Sequence, residues 1–317
     1  MIIKGVEKMK KIILLITIAS LSFSDGKLSG VMYFGYEDNF SLSRVYFTYK
    51  KTVSDDISFK FQTDVGQVDS DDRWTAYLKK AHLNWKVADK TKISMGMIGM
   101  NMFNVQEKTW GHRFLAKSAM DGKFSSSADV GMSISKDFGF LYTNLTMTNG
   151  EGYKNSDVDD NNKTSLQLVH GERRLDKNDG YNAGLVYSTL KKYSNDQSDI
   201  DENTTVLGLF GGWAGKGLRI GAEYNTQNVN SENISNGDIT DLKSMLTSLY
   251  VNYNINDSFS AFVRQDAYDA DVDTDGDTST MMAGLIWKPA KGLSICPNMT
   301  QVKDADGVFA IDVQFKF

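Results

Sequence analysis

From Gly307 to Phe317 the chain reads G-V-F-A-I-D-V-Q-F-K-F, in which Phe309, Ile311, Val313, Phe315 and Phe317 alternate with Val308, Ala310, Asp312, Gln314 and Lys316. In an extended strand alternate side chains point to opposite faces, so one face here is apolar throughout and the other is mixed. The same rhythm recurs upstream. Ala128, Val130, Met132 and Ile134 alternate with Asp129, Gly131, Ser133 and Ser135; Leu218, Ile220, Ala222 and Tyr224 alternate with Arg219, Gly221, Glu223 and Asn225. Beyond Asp25 no amphipathic helix of ordinary length interrupts these runs, which are separated by Gly, Asn, Asp and Ser.

The pattern predicts sixteen strands, near 27-36, 40-53, 57-66, 74-88, 92-100, 127-136, 139-149, 163-173, 181-190, 204-213, 217-228, 241-254, 259-269, 278-288, 292-302 and 307-317. After the first connection, short turns such as 54-56, 88-90, 136-138, 256-257 and 289-291 take turns with longer segments at 67-73, 101-126, 150-162, 191-203, 229-240 and 270-277. An even strand number with loop length sorted by parity is the pattern of an all-β, 16-stranded antiparallel transmembrane barrel with an apolar exterior and polar lumen. A soluble secreted sandwich that binds a ligand is the alternative, and it gives no reason for the sorting. Trp85, Phe138, Trp213, Trp287 and Phe317 sit near strand ends, where a barrel carries its interfacial aromatic girdle. Two positions strain the scheme. Lys79 falls on the lipid face of its strand, acceptable only at or above the rim, and Pro297 removes a ladder donor, so a bulge or a shortened strand is expected there.

Residues 1–24 have the make-up of a secretory signal: Lys4, Lys8, Lys10 and Lys11 precede the apolar run Ile12 to Ile18, and Ser22-Phe23-Ser24 offers a cleavage site. Met9 is an alternative start, because a complete signal follows it as well. The barrel is then expected over 25-317. The segment holds four Lys and one Glu, so its removal takes the net charge of −5 to −8. Cys296 is the single cysteine, leaving no internal disulfide. Nothing in the pattern calls for nucleic acid as a partner, or for a cofactor.

The connection 101-126 is the longest and, unlike the acidic loops around it, is net positive. It carries Lys108, Arg113, Lys117 and Lys123 against Glu107 and Asp121. The acidic loops hold Asp69, Asp71 and Asp72; Asp157, Asp159 and Asp160; Asp196, Asp199, Asp201 and Glu202; and Asp269 to Asp277. Strand positions assigned to the lumen also lean basic: Arg44, Lys50, Lys60, Lys80, Lys86, Lys92, Arg219, Arg264, Lys288 and Lys316 outnumber Asp64, Asp129, Glu223, Asp266 and Asp312. In a low-dielectric wall such a bias focuses a field on anions. The alternative is that these side chains only stay wet in a non-selective channel.

The runs I-S-M-G-M-I-G-M-N-M-F, S-S-S-A-D-V-G-M-S-I-S and F-L-Y-T-N-L-T-M-T-N-G-E-G-Y resemble the phosphate-selective porins O and P over roughly 60 residues. The resemblance implies a trimer of 16-stranded barrels whose loop after the fifth strand folds inward, here 101-126, bringing Lys108, Arg113, Lys117 and Lys123 toward wall residues Arg44, Lys60, Lys80, Arg219 and Arg264. It implies passive diffusion of small hydrophilic solutes or anions. Phe315 and Phe317 resemble the signal that barrel assembly machinery reads in the outer membrane of Gram-negative bacteria, whose lipid and lipopolysaccharide would surround the protein.

Two further chemistries have partial signals. D-V-D-T-D-G-D, Asp271 to Asp277, resembles the first half of a calcium loop, making Asp271, Asp273 and Asp275 weak metal ligands; Met282 stands where a bidentate Glu is needed. A barrel enzyme of lipase or protease type would need one of His82, His112 and His170 as base beside a nucleophile, and no Ser has a recognisable nucleophile setting.

Overall fold

The computed structural model describes residues 26–67, 74–155, 161–192 and 200–317. The predicted signal segment 1-24 lies outside them, as do Asp69, Asp71, Asp72, Asp157, Asp159, Asp160, Asp196 and Asp199. Sixteen strands follow one another: β1 (Lys27–Glu37), β2 (Asn39–Thr52), β3 (Ile57–Gln67), β4 (Trp74–Ala88), β5 (Thr91–Gly99), β6 (Ala128–Asp137), β7 (Tyr142–Thr148) and β8 (Lys163–Gly171). Then come β9 (Gly180–Lys192), β10 (Ile200–Gly215), β11 (Leu218–Asn233), β12 (Ile239–Asn254), β13 (Phe259–Asp269), β14 (Thr278–Ala290), β15 (Leu293–Val302) and β16 (Val308–Lys316). Each pairs antiparallel with its neighbour, and β1 pairs with β16, closing the barrel. A sandwich is ruled out by this closure, because two packed sheets keep open edges that the ring does not have.

The alternation sets the faces. Val130, Met132 and Ile134 of β6 are exposed, as are Leu207, Leu209 and Trp213 of β10, Leu249, Val251 and Tyr253 of β12 and Phe309 and Phe315 of β16. These form the outer surface. Trp85, Phe138, Trp213, Trp287 and Phe317 are all exposed and gather at one end of the barrel, with Tyr36, Phe40 and Trp74 exposed at the other. The end that holds the longer connections is termed the loop end below, the opposite one the turn end.

Several expected boundaries moved for local reasons. The long segment expected at 229-240 shrinks to 234–238, because β11 and β12 continue their ladder out to Glu232 opposite Ile239; 191-203 shrinks likewise as β9 and β10 pair out to Lys192 and Glu202. The strand expected from 139 starts only at Tyr142, since Phe138 N–H bonds the Leu141 carbonyl at 2.9 Å and the Asp137 carboxylate caps Gly139 N–H at 2.9 Å in a tight turn.

Lys79 is not on the lipid face. The β3–β4 register runs Gln62↔Lys80 and then Thr63↔Leu78, so β4 holds one extra residue there. Such a bulge turns the strand locally; Leu78 stays exposed while Lys79 is only 4% exposed inside the barrel. Pro297 shortens no strand. β15 pairs with β16 through Pro297↔Ile311, and toward β14 the ladder skips from Gly284↔Asn298 to Trp287↔Ile295 without changing register. The register shift lies nearer the turn end, between Trp287 and Ala290.

At the seam, the Phe317 backbone exchanges two hydrogen bonds with Gly30, at 2.9 and 3.1 Å. Its ring lies directly over Gly30, where any Cβ would collide with it, and 6.0 Å from the Phe47 ring of β2.

Candidate pore constriction

The segment 100–127 between β5 and β6 runs inside the barrel, and its own residues dictate that course. Asn101 fixes the departure: its amide donates to the Asn144 carbonyl and side-chain oxygen at 3.0 and 3.1 Å, while Ser165 Oγ and Gln167 Nε2 donate to its side-chain and backbone oxygens at 2.7 and 2.6 Å. All four polar side chains are buried, so the network satisfies groups that would otherwise be costly there. Two single-turn helices follow, α1 (Gln106–Trp110) and α2 (Ala119–Lys123). Gly111 ends α1 in the left-handed region at φ 80°, and Ser118 caps α2 through its Oγ at 3.4 Å from Asp121 N.

Apolar side chains then seat the segment. Met100, Met102, Phe103, Val105, Met120 and Phe124 form one cluster with Val169, Val186, Val206, Phe210 and Leu246, which point inward from β8, β9, β10 and β12. Gly212 of β10 allows the closest approach, since a Cβ there would lie 2.5 Å from Thr109 Cγ2. Trp110 is fully buried between Tyr250 at 5.3 Å and Phe262 at 5.5 Å, its indole N–H donating to the Ala116 carbonyl at 2.8 Å. Phe114 reaches Tyr33 of β1 at 6.5 Å. The segment therefore crosses the lumen from β5 to β1.

The structure gives most of the loop's cations, and the arginines of the wall beneath it, a definite neighbour. Arg113 is engaged by its own loop: its guanidinium pairs with Glu107 and, at 2.6 Å, with Asp121, and donates to Ser127 Oγ at 3.3 Å. Its charge is balanced, so it clamps the loop's two halves together. Lys117 lies 3.5 Å from the Asp121 carbonyl, and Lys123 stands over the Tyr268 ring at 4.3 Å. Arg219 holds the Trp110 carbonyl at 3.1 Å. Arg264 donates to the Lys117 carbonyl at 2.7 Å, forks onto Asp266 at 2.9 and 2.7 Å and stacks on Trp110 at 4.9 Å. Lys108 sits half-buried on α1. Arg219 and Arg264 are thus fasteners for the loop.

The wall formed by β2 to β5 is of another kind. Lys50 faces Lys60 across the β2–β3 ladder, and Lys86 faces Lys92 across β4–β5. Between these pairs runs a polar row in which Ser94 donates to Asn84 at 2.7 Å and Asn84 to Ser58 at 3.5 Å. Lys80 lies next along toward the loop end, near enough to Gly99 that a Cβ there would sit 2.6 Å from its Nζ. Among the described residues none of Lys50, Lys60, Lys80, Lys86 and Lys92 has an ion-pair partner. Like charges directly opposite on a ladder are destabilising. Together the five make a basic track along one side of the lumen.

Arg44 and Lys79 close the track at the loop end, and there the sequence reading was incomplete. Both pair with the buried Asp64, Lys79 at 3.6 Å, and Tyr77 also donates to Asp64 at 3.1 Å. Tyr153, from the segment 149–162, reaches in to accept from Lys79 at 3.0 Å, with the ammonium 4.2 Å from its ring. The turn 172–179 was missed as well: Leu175 is 2% exposed and packs at Gly212 beneath the loop. Its only signal was an eight-residue connection on the side where the others hold two to four.

The proposed calcium ligands do not converge. Asp271 accepts from Asp273 N–H at 3.2 Å through its carboxylate and from Thr274 N–H at 3.0 Å through its carbonyl, as in a tight turn. Lys303 bonds Asp277 at 2.8 Å and holds that carboxyl below its usual range. Among the described residues no three such side chains gather for a metal. Of the three histidines, His112 is wedged between Trp110 and Phe262, His82 Nδ1 lies 3.1 Å from the Met97 carbonyl, and His170 sits at the turn end on Tyr181 and the Phe140 carbonyl.

No protein-family model and no curated protein sequence matches the chain. Solved structures do match in fold. An anion-selective porin from Comamonas acidovorans aligns at TM-score 0.65 and 10% identity over 92% of this chain and 99% of that one. OmpT, an outer membrane protein of Vibrio cholerae in a trimer form, aligns at 0.64 and 13% over 92% and 99%; Salmonella typhi OmpF in complex with daunomycin aligns at 0.64 and 12% over 92% and 97%. The chain has the 16-stranded β-barrel fold of outer-membrane porins.

Proposed function

We propose that the protein is a passive outer-membrane channel for small hydrophilic solutes with a preference for anions, working as a homotrimer with the turn end toward the periplasm. The observation that carries it is the basic track: among the described residues its five lysines have no ion-pair partner, while the acids of the inserted loop, Glu107 and Asp121, are both engaged by Arg113. Two unit charges about 8 Å apart at an effective dielectric of about 20 interact by about 2 kcal/mol, and salt reduces this over a Debye length of about 10 Å at 0.1 M. Anion preference should therefore be largest in dilute salt. The trimer, the anion preference and the placing near phosphate-selective porins O and P rest on fold likeness, on the resembling runs and, for anions, on the track itself. Phe315 and Phe317 are assigned to recognition by the assembly machinery, and the exposed belt to contact with outer-membrane lipid and lipopolysaccharide.

The test is the reversal potential in a planar bilayer under a salt gradient. The wild type should pass anions preferentially, and replacing Lys50, Lys60 and Lys80 together by Glu should reverse the sign at low salt, with a smaller shift at high salt. An unchanged potential would leave a non-selective channel.

A further inference from the structure

A cleft of about 550 Å³ opens on the lumen side of the turn end, outside the constriction. Lys86, Lys90, Lys92 and Arg173 line it, together with the hydroxyls and amide of Ser58, Thr91, Ser135, Tyr142 and Asn84. Lys86 and Lys92 are direct cross-strand neighbours on its floor. Lys90 comes from the β4–β5 turn, where it takes a positive φ of 52°. Arg173 arrives from the opposite side on the turn 172–179, its guanidinium 3.9 Å above the Tyr142 ring. Cations thus converge from two sides on one concave space.

Of the acids nearby, one pairs with Arg173 and, among the described residues, none with the three lysines. Asp137 is held by Arg173 at 3.1 Å and by Gly139 N–H at 2.9 Å. Asp55 and Asp56 lie at the rim, exposed, and no ion pair joins either to Lys86, Lys90 or Lys92 among the described residues. The Asp56 contact with Lys86 is through the backbone, Lys86 N–H to its carbonyl at 2.8 Å. Three ammonium groups without ion-pair partners among the described residues, a guanidinium over an aromatic ring and a row of small donors suit a solute with more than one negative charge and several hydroxyls. A monovalent ion would leave most of those groups unused, and an apolar solute would have to desolvate them.

We propose that this cleft is a binding station for polyvalent, hydroxyl-bearing anions of sugar-phosphate size, where a solute pauses between the constriction and the turn-end mouth. Its part in transport rests on the channel reading; its binding does not. The two are separable because Lys90 and Arg173 belong to the cleft alone, and Lys50, Lys60 and Lys80 to the track alone.

Calorimetric titration of the folded protein in detergent tests it, with glucose 6-phosphate as probe and glucose and chloride as controls. Saturable binding of glucose 6-phosphate alone is expected. Lys86→Ala with Lys92→Ala, or Arg173→Ala alone, should weaken it about tenfold, the size of one or two lost charge-assisted contacts, while Lys60→Ala leaves it unchanged. No binding by the wild type, or equal binding by all variants, would overturn the cleft. Loss on Lys60→Ala alone would place the solute at the constriction and overturn it too. A flat reversal potential alongside intact cleft binding would sink the channel's anion preference and leave the cleft standing.

Discussion

The two sides of the lumen obey different rules. On β2 to β5 the inward residues toward the turn end include Lys50, Lys60, Lys80, Lys86 and Lys92 with Ser58, Asn84 and Ser94 between them, as a water-facing wall should. On β8, β9, β10 and β12 the inward residues include Val169, Val186, Val206, Phe210 and Leu246, each under a tenth exposed. The reason is what stands opposite. The first wall looks onto the passage, the second onto Phe103, Val105, Met120 and Phe124 of the inserted loop, and burial between them drives the loop down as it would drive a core together. The lumen is apolar where the loop's apolar side chains cover it, and polar where water or a hydrogen-bonding partner meets it.

The contrast is open to direct attack. Deleting residues 104–124 should raise single-channel conductance several-fold and lower resistance to urea, since the apolar bed loses its cover. Unchanged conductance would mean that the loop does not narrow the passage. Val206→Asp should cost about 2 to 3 kcal/mol in urea unfolding from lipid vesicles, as an unpartnered polar group pressed under the loop. The same change at Ser58, on the wet wall, should cost little; equal costs would erase the distinction. The smallest effect has the opposite sign. Lys50→Thr removes a like charge facing Lys60 and should stabilise by up to about 1 kcal/mol while reducing anion preference. A loss of stability there would mean that the lysine side chains pack rather than repel.

Strand number, order and phase were legible because the lipid face must be apolar at alternate positions wherever it meets lipid, a constraint that Val130, Met132 and Ile134 state plainly. The inward course of 101-126 could be expected from length and resemblance, but its bed could not be read. Alternation says that Val206 and Phe210 point in, not that a loop waits there, although two apolar faces on Val206-Leu207-Gly208-Leu209-Phe210 were a hint. The role of Arg113 was hidden for a similar reason. Glu107 and Asp121 are six and eight residues away, and only the fold between α1 and α2 brings both carboxylates to one guanidinium. Tyr153 engages Lys79 across 74 residues, which no local pattern records.

The extra residue in β4 severs the strand's arithmetic. On the turn-end side of Lys80 even-numbered residues face the lumen, and on the loop-end side of Lys79 odd-numbered ones do, as with His82 and Tyr77. Deleting one residue anywhere along a regular strand would turn half of its side chains inside out. At Lys79–Lys80 the same deletion would only erase the hinge between two independently phased halves, so here a change of chain length leaves both faces intact.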